Sequence, residues 1–361
     1  MYCRFMNKVK YYDIKHDLAA YPDAWCYLIW SKRGPGKTYS TLRYCIENKI
    51  LFIFIKRTIE DVKMLCATSN NRKNIDFDVS PFVPLNRDFG WNIKPVKIEK
   101  GIAGFYNCNE DGEPAGSPIG YCVALSIASD IKGFDMSAVD IMIYDEFIPK
   151  IYERVSRTEG DALLDIYMTV SRDRIARGRD ELKLICLANA TSINNPVFNV
   201  LEVVDVAAWM NATNTELQFD NQRKIFLHKV PDQLGAMPKK MGIESAMEGT
   251  AWADMSFGGS FAYDDFSGVS HVRLKNYQPV CKVIYQRKEI YFYRKDGGYY
   301  ATYSAGKTDN IYDLSRESEQ RRFFFDYVGK FRDAITMDKM KFEKYTMYDL
   351  IFNYKKIFKN F

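Results

Sequence analysis

The chain contains no Cys-x-x-Cys pair, and its three histidines, His16, His228 and His271, lie far apart. A zinc site is therefore not expected. The eight cysteines are single residues, and Cys26, Cys122 and Cys186 fall within apolar runs, where a free thiol behaves as a small hydrophobe. That usage excludes a disulfide framework and points to a reducing compartment. No run approaches the roughly 18 apolar residues that cross a bilayer, and Met1 to Lys10 lacks the apolar centre of a secretory signal. Internal repeats and low-complexity segments are missing as well. Charge is weak: the formal net value is +5, too little by itself to imply nucleic acid. What the chain does have is aromatic content, 25 Tyr and 24 Phe in 361 residues, with 47% hydrophobic residues. That is enough for one large domain or two.

The most informative stretch runs from Trp25 to Thr41. An apolar run, Cys26 to Trp30, predicts a buried strand. The octet Ser31, Lys32, Arg33, Gly34, Pro35, Gly36, Lys37, Thr38 then predicts a turn, and Tyr39 onward has helical periodicity. Strand, glycine loop, Lys-Thr and helix form the layout of a phosphate-binding P-loop. In such a loop the backbone N–H groups and the helix N-terminus face the phosphates. Lys37 is then the phosphate-contacting cation and Thr38 a Mg²⁺ ligand. Ser31 stands where the usual pattern has its first glycine. A plain strand–turn–helix corner is the alternative reading of these residues.

Further strands follow. Ile50 to Ile55 is continuously apolar, as in a parallel strand buried on both faces, and is followed by Lys56 and Arg57. Residues 94–127 read as antiparallel strands joined by hairpins. Ile141 to Tyr144 predicts a strand ending in Asp145-Glu146, the pattern of a Walker B, with Asp145 toward the metal and Glu146 toward the attacking water. A solvated acidic turn is the plainer alternative. Asp161 to Arg177 reads as a helix, ending in Arg172, Arg174, Arg177 and Arg179. These arginines suit either a helix C-terminus or phosphate recognition. Leu182 to Ala188 predicts a strand with Asn189 at its tip, as a γ-phosphate sensor or a turn-forming residue.

The order of elements implies an α/β, additional-strand P-loop ATPase core with a catalytic Glu over residues 1–202. A small linker or lid region is expected over 203–262, with a hinge at Gly258 to Ser260. Residues 263–361 then predict a C-terminal α+β domain: strands at 271–274, 280–286, 289–294 and 299–303, followed by helices at 317–335 and 347–358. This domain is basic and aromatic, which suits nucleic acid and equally a solvated face.

Several blocks in order resemble the genome-packaging ATPases of small protein-primed podophages that use a packaging RNA. They are R-G-x-G-K-T at Arg33 to Thr38, the apolar strand with two basic residues at Phe52 to Arg57, and D-E-F-I at Asp145 to Ile148. Next are T-V-x-R-D-R at Thr169 to Arg174, I-C-L-x-N-A-x-S at Ile185 to Ser192, N-P-x-F at Asn195 to Phe198 and G-T-x-x-x-x-M-S at Gly249 to Ser256. The resemblance implies ATP and Mg²⁺ as cofactors and a ring of subunits, five in that family, translocating double-stranded DNA into a procapsid. It implies Arg172 as a finger offered in trans, with Arg174 as second choice, and Lys132 at a DNA or subunit interface; Lys56, Arg57 and Arg174 are expected at such an interface as well. Its further implications are packaging RNA and portal as partners, action in the host cytoplasm at the procapsid portal, no membrane, and a C-terminal domain of vestigial ribonuclease H type. Two alternatives stand beside it: a helicase or transposition-type ATPase of the same fold class, and a non-hydrolysing RNA- or portal-binding adaptor with a degenerate loop.

Overall fold

The computed structural model describes residues 10–66, 79–128, 136–150, 152–153, 155–235, 242–250, 253, 261, 264 and 266–358. The chain forms two compact units, Met1–Leu201 with Trp209–Tyr263, and Glu202–Ala208 with Asp264–Phe361.

The first unit is built on a nine-stranded sheet. Its strands in chain order are β1 (Cys26–Ser31), β2 (Phe52–Lys56), β3 (Ile93–Glu99), β4 (Ile102–Asn107), β5 (Gly120–Ala124), β6 (Ile141–Asp145), β7 (Lys183–Asn189), β8 (Leu217–Asp220) and β9 (Ile225–Lys229). They lie in the order β3-β4-β5-β2-β6-β7-β1-β9-β8. The run from β5 to β9 is parallel throughout. β3, β4 and β8 attach antiparallel at the two edges. Central strands enclosed on both faces need apolar side chains at every position. Tyr27 to Trp30, Phe52 to Ile55 and Met142 to Tyr144 are accordingly buried. β7 lies between β1 and β6, so one strand separates the glycine loop from the acidic strand end.

The helices that matter for the site are α1 (Ile14–Ala20), α2 (Lys37–Glu47), α3 (Ile59–Cys66), α4 (Val83–Phe89) and α5 (Glu159–Ser171). Asp13 caps α1 by accepting from the Lys15 N–H, and the Ile14 N–H donates to Ser40 Oγ at 2.8 Å, tying α1 to α2. Thr58 and Asp61 form reciprocal side-chain-to-backbone bonds at the start of α3, a capping-box geometry.

The antiparallel strands expected over 94–127 are β3, β4 and β5, and β5 also pairs in parallel with β2, which carries them onto the main sheet. Two other expectations change. Within 203–262, β8 and β9 extend the sheet beside β1. His228 and Lys229 break the apolar look of β9, yet each is buried with a polar partner, Asp17 and Asn214 respectively. The other is that α5 stops at Ser171 and not near Arg177. Arg172 takes an extended ψ of 131°, and Asp173 has φ +57°.

The second unit holds a five-stranded sheet. Its strands are β10 (Gln278–Tyr285), β11 (Lys288–Lys295), β12 (Gly298–Thr302), β13 (Ile311–Asp313) and β14 (Met340–Phe342), in the order β13-β10-β11-β12-β14. β10, β11 and β12 form an antiparallel meander. Its two-residue turns, Gln286-Arg287 and Asp296-Gly297, all have positive φ, the geometry that matches strand twist. Residues 271–274, expected as a strand, are irregular. β13 and β14 were not foreseen, because three-residue strands carry no periodicity. The helix over 317–336 contains a π-helical turn at Phe324–Val328. It packs through Phe323 and Phe331 on Phe292 of β11, whose ring stacks on Phe331 at 4.7 Å.

Candidate active site

Three strand ends meet at one edge of the parallel sheet. Ser31 closes β1 and is the register partner of Asn189, which closes β7. Asp145 closes β6 beside Leu187 of β7. The loop from Lys32 to Gly36 leaves β1 and enters α2. Gly34 and Gly36 have φ of +87° and +92°, a left-handed conformation that costs glycine nothing. Ser31 is extended and buried, so the missing first glycine removes no required conformation. Its hydroxyl accepts a hydrogen bond from Lys37 Nζ and donates to the Lys32 carbonyl.

The loop is clamped from outside. The Tyr12 N–H donates to the Pro35 carbonyl at 2.9 Å, and the Gly235 N–H to the Lys10 carbonyl at 2.7 Å. A Cβ on Gly235 would lie 2.7 Å from Pro35 Cα and 2.8 Å from the Gly34 oxygen. Only glycine fits that approach, and Gly235 also has φ +69°.

Lys37 is 8% exposed. Besides Ser31 it has two long contacts, the Lys32 carbonyl at 3.3 Å and Asn189 Oδ1 at 3.5 Å. Burial lowers the pKa of its ammonium to about 8, against the opposing pull of Asp145 and Glu146. Thr38 Oγ1 donates to Asp145 Oδ1 at 2.8 Å, and Lys56 Nζ to Asp145 Oδ2 at 3.0 Å. A hydroxyl and a carboxylate side by side at a phosphate loop suit Mg²⁺, which keeps waters and takes few protein oxygens. Among the described residues no group of three or more His, Cys, Asp or Glu gathers as a metal cage.

Glu146 follows Asp145 with φ +58°, a strain on the order of 1–3 kcal/mol for a non-glycine residue. Its side chain is exposed, and its carbonyl accepts from Arg57 Nη2 at 2.9 Å. Arg57 also binds Glu159 through Nε at 2.9 Å and Glu153 through Nη1 at 3.0 Å. Glu159, 5% exposed, takes a further bond from the Tyr144 hydroxyl at 2.7 Å. Arg57 is therefore an internal brace beneath Glu146, and Lys56 is engaged with Asp145. Gly34 to Tyr39, Asp145, Glu146, Ala188 and Asn189 line a cavity of about 240 Å³. A second cavity of about 490 Å³ shares Asp145 and Glu146 and opens toward Lys56 and Arg57. Arg33 is exposed and faces a smaller recess with Glu146, Asn189 and Thr191. Lys32 is half-buried, and Tyr39 donates its hydroxyl to Asp88 at 3.0 Å.

The arginine run separates into two kinds. Arg174 is 3% exposed and donates to the carbonyls of Ser137, Val139 and Asp180 and to the Asp140 carboxylate. Arg179 shares Ser137 and Asp140 with it and also donates to the Ala138 carbonyl. The expected interface role of Arg174 is corrected accordingly: it pins the turn after α5 to the residues that lead into β6. Arg172 and Arg177 are exposed, and neither side chain makes a hydrogen bond or ion pair among the described residues. Arg172 lines neither cavity of its own chain. Lys132, most of Gly249 to Ser256 and the expected hinge at Gly258 to Ser260 lie outside the described residues. Sequence reasoning missed Glu153, Glu159, Tyr144 and Gly235. Their partners lie far along the chain, and only the basic end of β2 hinted that something acidic would meet it.

Comparison with known proteins follows the same lines. Curated DNA packaging proteins of Bacillus phages B103 and PZA are 26% and 28% identical to the chain, each over 70% of it and over 69% and 67% of their own lengths. The bacteriophage Phi-29 viral genome packaging motor assembly contains a chain that superposes with a TM-score of 0.63. The match covers 96% of this chain and 98% of that one at 18% identity, which is a likeness of fold. The profile of the family described as Podovirus DNA encapsidation protein (Gp16) matches residues 114–354, about two-thirds of the sequence. The chain belongs to that family of DNA encapsidation proteins.

Proposed function

We propose that this chain is the ATP-hydrolysing subunit of a ring that drives double-stranded DNA into a procapsid. The observation that carries the reading is the meeting of Lys37, Thr38, Asp145, Glu146 and Asn189 at the ends of three adjacent parallel strands. The strand inserted between β1 and β6 supports the additional-strand class expected from the sequence.

ATP with Mg²⁺, when bound, supplies the phosphoanhydride whose cleavage releases the energy for movement. Lys37 and the N–H groups of Gly34, Gly36, Lys37 and Thr38 would bind the phosphates (Pro35 has none to offer), and Thr38 and Asp145 would hold the metal. Asn189, within reach of Lys37, reports the γ-phosphate to β7. Glu146 accepts a proton from the attacking water, and Arg57 fixes the carbonyl on which that side chain pivots. Arg172, exposed and without a hydrogen bond or ion pair among the described residues, is read as the finger offered to a neighbouring copy. The second unit, with a parallel strand beside the first strand of its meander, is read as the vestigial nuclease-type module that holds packaging RNA, portal or DNA.

Duplex DNA should stimulate ATP hydrolysis by the assembled protein more than single-stranded DNA does; the reverse order would favour a helicase. Glu146→Gln should bind ATP and lose turnover by at least about 100-fold. Arg172→Ala should be inactive alone and partly active when mixed with Glu146→Gln; no recovery at any mixing ratio overturns the trans assignment.

A further inference from the structure

Resting on the nucleotide reading above, we infer that Tyr11 forms the nucleobase contact of the site, recognising the base of a nucleoside triphosphate and not its phosphates. Tyr11 and Tyr12 are adjacent but oppositely placed. Tyr12 is 4% exposed and donates its hydroxyl to the buried carboxylate of Asp17. Tyr11 is 47% exposed, and its hydroxyl bonds to nothing among the described residues. Its Cβ and Cδ1 lie 3.7 and 3.5 Å from where a Cβ on Gly36 would sit. The ring therefore rests against the last loop residue before Lys37 with about half its surface open to solvent.

That placement is not left to a loose terminus. The Tyr12 N–H and the Lys10 carbonyl flank Tyr11 and are both hydrogen-bonded, to Pro35 and Gly235 respectively. Residues 10–12 thus form a strap fixed to the outer side of the phosphate loop, and the strap holds an aromatic surface at the mouth of the α2 N-terminus. The cavity at the loop is polar at its floor, where Lys37, Thr38, Asp145 and Asn189 offer a base no surface to stack on; Tyr39 also lines it, with its hydroxyl donated to Asp88. Tyr11 supplies that surface, since a base is a flat π system that gains from an aromatic side chain whatever its identity.

The test uses the full chain and two probes that share a triphosphate and differ by the nucleoside, ATP and inorganic tripolyphosphate, each with Mg²⁺, with affinities read by calorimetry. Wild type should bind ATP more tightly than tripolyphosphate. Tyr11→Ala should weaken ATP by about tenfold and leave tripolyphosphate unchanged, and Tyr11→Phe should retain the wild-type affinities. Thermal unfolding checks that the variants fold. Equal losses on both probes would show that the ring only shapes the loop, and no loss on either would show that it does not touch ligand; both overturn the inference. Binding of neither probe by wild type overturns the nucleotide reading itself, and the inference with it.

Discussion

Lys37 and Arg174 are both cations buried in the first unit, at 8% and 3% exposure, and they are treated in opposite ways. Arg174 reaches three carbonyls and a carboxylate. Lys37 makes no ion pair among the described residues; its hydrogen-bond acceptors are a hydroxyl, a carbonyl and an amide. A buried charge is tolerated when it is paired and bonded, and is costly otherwise. The arginine paired with Asp140 is scaffold, holding the turn that presents Arg172. The lysine, without an ion pair among the described residues and with its pKa pulled down by burial, is the group that gains most from an anion.

That contrast can be broken by substitution at both positions. Lys37→Met should abolish triphosphate binding while the midpoint of chemical unfolding stays level or rises, since a poorly paired buried charge is removed. Arg174→Met should cost about 3 kcal/mol of stability, because it leaves carbonyls and Asp140 without their donor. If the lysine variant were instead the less stable of the two, the distinction between ligand-binding and scaffold cations would be wrong. A smaller effect sharpens the account of the loop. Gly235→Ala should destabilise by about 2 kcal/mol, from its positive φ and from backbone atoms under 3 Å away, and should weaken triphosphate binding as Pro35 shifts. The smallest concerns Glu146. At φ +58°, Glu146→Gly should be more stable than Glu146→Ala by about 1 kcal/mol, measured by urea unfolding; equal stabilities would mean that the strain is not felt.

Much of the site was legible from local pattern. Continuous apolar runs marked β1, β2, β6 and β7, and each ended at the residue that mattered: Ser31, Lys56, Asp145 and Asn189. Side chains of a strand enclosed on both faces must be apolar until the sheet edge, so the first polar residue marks where the strand becomes accessible. The same logic failed at β9, where His228 and Lys229 are buried polar residues satisfied by Asp17 and Asn214. It failed again after α5, where Asp173 turns left-handed and Arg174 anchors the turn.

What the sequence determined by itself was the chemistry on offer: a glycine loop ending in Lys37-Thr38, a strand ending in two carboxylates, and a group of arginines. Residue type and spacing along one strand or turn suffice for that, since both are local. Which arginines are spent inside the chain, that Arg57 braces the Glu146 turn through Glu159, and that residues 10–12 and Gly235 clamp the phosphate loop were decided only by the tertiary structure. The Arg57–Glu159 bond, for instance, joins residues 102 positions apart. A cation's role depends on which acceptors surround it, and those acceptors come from distant parts of the chain.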